Sequence, residues 1–110
     1  MSQRLEEFAP TLKCLSKLSK ERKARWLKEN LSDELVICLC ECAKNLLKGT
    51  IPLKEKQRKE LSKRKKSLRD LVDKSISLKT KKRIIQSGGF LGALLGPIVS
   101  ILGGLFGGNQ

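Results

Sequence analysis

The sequence predicts an all-α protein: a small helical domain of three to four helices over residues 1–53, a basic helical region over 54–87, and a hydrophobic, glycine-rich C-terminal helix over 88–110. Leucines recur three and four residues apart, and serines stand just ahead of several of those runs. Strand signals are scarce, with no Tyr, few β-branched residues and no sustained alternation of apolar and polar side chains. At 110 residues the chain holds one small domain, whose single core would be marginal by itself.

The first helix is expected over about residues 11–18, where Leu12, Leu15 and Leu18 follow Pro10. Ser19 then reads as the N-cap of KERKARWLKE, which stops near Asn30, a residue tolerant of the left-handed C-terminal position. Ser32 caps the next helix, with Asp33 and Glu34 opposing the positive end of its dipole. Its broad apolar face, built on Leu35, Leu39, Cys42 and Leu46, ends at Gly49 and is expected at the centre of the core, packed by Leu15, Leu18, Trp26 and Leu27. GTIPL is a tight connection that Pro52 prevents from continuing as helix. KEKQRKELSKRKKSLRDLVDK is helical by propensity, yet Leu61 is its one apolar residue before Leu68, so its first half is expected to remain solvated. Ser77 caps a last short basic helix, LKTKKRIIQ, before Gly88 and Gly89.

Charge divides the chain in three. Lys and Arg number 24 against 11 acidic residues, a net charge of +13; residues 54–83 hold 14 of the cations and only four of the anions, and residues 84–110 are uncharged. Helix-stabilising ion pairs cannot neutralise such an excess, which predicts a partner rich in phosphate or in anionic lipid. The candidate nucleic-acid-binding residues are Lys63, Arg64, Lys65, Lys66 and Arg69, with Lys79, Lys81, Lys82 and Arg83. Dense lysine clusters without interleaved aromatic residues favour contact with the phosphate backbone over the reading of bases.

Catalysis is not expected. The chain has no His, which removes Ser-His and Cys-His nucleophile pairs and the commonest zinc and iron ligand sets. Its N-terminal MSQRLEEF is charged and polar rather than a secretory signal, so the four cysteines are expected to be reduced. Cys38, Cys40 and Cys42 lie within a helical pattern, Cys14 stands apart, and their spacing favours small packed side chains over a metal site; no cofactor is expected.

Residues 90–106 are 17 uncharged, mostly apolar positions, roughly 25 Å as a helix at 1.5 Å per residue. Alone they fall short of a ~30 Å hydrocarbon core, although residues 84–89 could extend them across it. Phe90, Leu91, Leu94, Leu95, Ile98, Val99, Ile101, Leu102, Leu105 and Phe106 form a candidate membrane or partner surface. Small residues at 88, 92, 96, 100, 104 and 108 make a ridge for close helix approach and self-association. Three readings stand side by side: a core helix folded back on the domain, insertion into a bilayer beside Lys81, Lys82 and Arg83, or docking on another protein.

The runs CECAKNLLKGTIPL and KRKKSLRDLVDKSISLKTKKRIIQSGGFLGALLGPIVS resemble a small basic protein of Maverick/Polinton elements and adintoviruses. KKRIIQSGGFLGALLGPIVSILGG is also similar to the C-terminal part of the adenovirus core protein ten (mu) precursor, although this chain is Lys-rich where that precursor is Arg-rich. The resemblance implies a virion core or minor structural protein that contacts the genome, located in the virion and in the host nucleus during assembly, with capsid protein and an adenovirus-type protease as partners. It also implies a cleavage site at Gln86, Gly88, Gly89 and Phe90, cut after Gly89, which would separate the basic part from a membrane-interactive tail. The alternatives are a membrane-permeabilising or tail-anchored protein whose cations bind anionic lipid, and a module that docks in a capsid groove.

Overall fold

The structure, a computed structural model, describes residues 3–87 and 89–107, with the side chains of residue 101 and residues 103–107 outside the description. The described residues form seven helices and no strand: α1 (Gln3–Ser16), α2 (Lys20–Asn30), α3 (Asp33–Lys48), α4 (Glu55–Ser62), α5 (Lys65–Val72), α6 (Leu78–Gln86) and α7 (Phe90–Gly107). The all-α class holds, but the count of helices is understated, and the excess lies in the basic region, where α4, α5 and α6 stand.

Three serine caps form as the sequence implies. Ser19 Oγ accepts from the Arg22 amide at 3.3 Å, Ser32 Oγ from Leu35 at 3.1 Å and Ser77 Oγ from Thr80 at 3.2 Å, each satisfying an otherwise orphaned donor. Gly49 closes α3 in the left-handed conformation, with φ of 77°. Asn30 takes no such role: α2 ends through Leu31 in extended backbone, and glycines alone have positive φ among the described residues.

Two boundaries differ from expectation for physical reasons. The first helix begins at Gln3 rather than near residue 11 and carries Pro10 inside it. Leu5, Ala9, Leu12 and Leu15 form one buried stripe across the proline, while Pro10 itself faces outward, where water can serve the carbonyl its missing N–H leaves unpaired. The expected single basic helix is broken at Lys63 and Arg64 into α4 and α5. After the break α4 packs on α7 and α5 on α3, with Leu61, Leu68 and Leu71 all buried.

α3 occupies the centre, pairing most extensively with α5 and also with α1 and α6, through Leu35, Val36, Cys38, Leu39, Cys42, Ala43 and Leu46. Leu15 and Leu27 are buried, and Leu18 and Trp26 are half-buried against the same core. All three segments of the chain share this core, because α7 lies along α1 and α4. The Cα radius of gyration, 13.1 Å, matches the ~13 Å of a compact chain of about 100 residues.

The C-terminal segment is therefore a core helix. Phe90, Leu91, Leu94, Leu95, Ile98 and Leu102 are at most 3 % exposed, and Val99 packs partly buried beside them. These residues of the expected membrane or partner surface are thus enclosed in this structure; Ile101, Leu105 and Phe106 lie outside the described side chains. The reason is the small-residue ridge. Gly92, Gly96 and Ser100 form an exposed side of α7, while Phe90, Leu91, Leu94, Leu95, Ile98 and Leu102 point inward. Among the described residues, no helix is long and apolar enough to cross a membrane.

Candidate nucleic-acid interface

α5 has one apolar face and one cationic face. Leu68 and Leu71 bury against α3, which turns Lys65, Lys66 and Arg69 outward, and Lys63 is exposed in the turn that precedes them. α6 is built similarly: Ile85 is fully buried, Ile84 half-buried, and Lys79 and Arg83 point to solvent. α5 and α6 pack against each other and both rest on α3, so six of the nine candidate cations are exposed on adjacent helices.

The other three occupy different surroundings. Lys82 reaches across to Asp33 at the start of α3, Nζ to Oδ1 at 2.8 Å, and is half-buried. It fastens α6 to the centre of the fold. Lys81, also half-buried, lies close enough to Cys40 and Asp73 to influence both electrostatically. The Asp73 carboxyl is held below its ordinary range chiefly by hydrogen bonds from the Ser75 hydroxyl, 2.7 Å, and amide, 2.9 Å, with Lys81 adding a smaller pull.

Arg64 turns inward. Its Nε is enclosed and finds no hydrogen-bond acceptor among the described residues, and its Nη2 stands 2.8 Å from where a Cβ on Gly89 would sit. The side chain thus packs on the turn between α6 and α7. Lys66 pairs with Asp70 one helical turn on, at 3.1 Å, but its side chain is 89 % exposed and the pair holds it weakly.

Around the six exposed cations, the fold adds Lys54, Lys56, Arg58 and Lys59, exposed on or beside α4. The candidate set omitted these four because their clusters are interrupted by Glu55, Gln57 and Glu60; helical periodicity was the signal that could have included them. Opposing charge gathers elsewhere. Arg4 bridges Glu34 and Glu41, tying the start of α1 to α3 with the nearby Glu7.

The cysteines stay within the packing. Cys38 and Cys42 are buried and one helical turn apart, Cys40 is half-buried and Cys14 exposed, all as free thiols. Cys42 is pushed well above the usual thiol range by its hydrogen bond with Cys38 and by burial, which keeps it protonated.

Of the suggested cleavage site, Gln86 and Ser87 are exposed, Gly89 is half-buried with φ of 80°, Phe90 is buried at 1 % exposure, and Gly88 lies outside the described residues. Gln86 Nε2 donates to the Leu27 carbonyl at 3.3 Å, which joins the end of α6 to α2. Compared with known proteins, the chain matches no family model, no curated protein and no solved structure.

Proposed function

We propose that the protein is a nonenzymatic structural component of a virus or virus-like element that binds nucleic acid through the phosphate backbone, without sequence preference. The observation that carries this reading is the set of exposed cations on two adjacent helices, Lys63, Lys65, Lys66 and Arg69 at α5 and Lys79 and Arg83 on α6. Counterion release from a polyanion favours such clustering, and fixed helices hold the charges in place before binding. The resemblance to a small basic protein of Maverick/Polinton elements and adintoviruses supports the virion setting, nuclear assembly, and contacts with capsid protein and an adenovirus-type protease.

In this reading Phe90, Leu91, Leu94, Leu95, Ile98 and Leu102 meet a membrane or capsid partner only after α7 leaves the core, because they are otherwise enclosed. Cleavage after Gly89 would need the same opening, since buried Phe90 withholds the extended backbone a protease requires.

The test is fluorescence anisotropy of the full chain with duplexes of unrelated sequence. Affinity should be similar for all of them and fall by roughly 10³-fold or more between about 50 and 200 mM salt, as for six or more phosphate contacts. Neutralising Lys63, Lys65, Lys66 and Arg69 to Gln should flatten the salt slope by about four. Neutralising Lys17, Lys28, Lys44 and Lys48, which are also exposed, removes equal charge elsewhere and should change it less. Equal losses from the two variants would mean that net charge alone drives binding.

A further inference from the structure

A groove of about 270 Å³ opens where α2 meets the junction of α6 and α7. Its apolar part is Ala24, Leu27, Ile85 and Leu91, and Lys20 and Lys23 stand at its rim. Lys23 is half-buried, with Nζ 3.8 Å from where a Cβ on Gly92 would lie, so its ammonium overhangs the first turn of α7. The remaining lining is uncharged; no carboxylate balances the two lysines there among the described residues.

We propose that this groove binds a free, single-chain amphiphilic carboxylate of medium length. The apolar floor would take the alkyl chain, and the two ammonium groups would hold the headgroup. The lysines stand three residues apart on α2, on one side of that helix, which lets both approach one carboxylate. A bare inorganic anion would leave the apolar lining unused, and a neutral chain would leave the lysines unpaired. The enclosed space is at the small end for a ligand site, which suits one short chain rather than a two-chain lipid. The groove involves none of the six exposed cations at α5 and α6, so it stands or falls separately from nucleic-acid binding.

Octanoate, 1-octanol and acetate would be titrated separately into the full chain and followed by amide chemical shifts. Octanoate should give saturable shifts at Leu27, Ile85 and Leu91, with acetate and octanol each at least about tenfold weaker, the scale of one lost charge-assisted contact or of a lost apolar chain. Lys20→Gln with Lys23→Gln should weaken octanoate about tenfold or more. Ala24→Phe, which fills an exposed position on the groove wall, should block it while the melting temperature stays near that of the parent. Lys54→Gln with Lys56→Gln, equal in charge but outside the groove, should leave octanoate binding unchanged. The proposal is overturned by absent or non-saturating shifts, by acetate matching octanoate, or by equal losses in the two charge variants. It is also overturned if vesicles of phosphatidylcholine and phosphatidylglycerol in equal parts bind at this groove while free octanoate does not.

Discussion

Gly49 and Gly89 share nearly the same left-handed backbone, with φ of 77° and 80°, but differ in what surrounds them. Any side chain at either position meets the backbone strain of this region, about 1–2 kcal/mol. At Gly49 a Cβ would enter open space, whereas at Gly89 it would press on the Arg64 guanidinium at 2.8 Å. Gly89→Ala should therefore destabilise more than Gly49→Ala in urea denaturation, and an Arg64→Ala background should bring the two closer together. If the two glycine variants cost the same in the parent chain, the Arg64 guanidinium swings aside without cost and does not constrain this turn. The inward set of Arg64 also limits how much of the basic site was legible in the sequence. Lys65 and Arg64 are equivalent as charges, and only the break between α4 and α5 turns one outward and the other in.

α7 shows how an element can be legible in position and yet misread in environment. By hydropathy its glycines count with its leucines, which makes the helix look apolar all round. In the fold, glycine offers no side chain to hide, and Gly92, Gly96 and Ser100 form a solvent face that leaves Phe90, Leu94, Ile98 and Leu102 on the other. Two substitutions on the same helix should have opposite effects. Leu94→Ala should cost about 2–5 kcal/mol, because Leu94 is fully buried and the cavity it leaves cannot fully close. Gly92→Ala should stabilise by up to about 1 kcal/mol, since its Cβ would lie 3.8 Å from Lys23 Nζ, an ordinary contact, and alanine favours helix over glycine. Urea titration checks both, and destabilisation by Gly92→Ala would mean that this side of α7 is packed rather than open. The serine caps were legible for the complementary reason: the Ser32 hydroxyl bonds a backbone amide three residues on, a local interaction. Pro10 misled because the stripe of Leu5, Ala9, Leu12 and Leu15 that keeps α1 helical gains its stability from α3 and α7, distant in the chain.

For the molecule as a whole, the dependence of the basic region on the apolar tail can be weighed in free energy. α7 contributes Phe90, Leu91, Leu94, Leu95, Ile98 and Leu102 to the common core, and burying one such side chain stabilises by about 1.5–3 kcal/mol. Their combined loss reaches or exceeds the roughly 5–15 kcal/mol that separates a folded domain from its unfolded chain, even after allowance for a compact unfolded state. A chain ending at Gly89 should therefore lose cooperative unfolding, and α1 and α4 should become exposed on the sides that α7 contacts. Calorimetry would show the transition of the full chain disappear, and a dye that brightens on apolar surface would bind the shortened chain strongly. Adding a synthetic peptide of residues 90–110 should restore part of the transition, since the helix would re-enter the site it left. A shortened chain that melts sharply near the temperature of the full chain would show that residues 3–87 hold a sufficient core by themselves, and that α7 covers the domain without completing it.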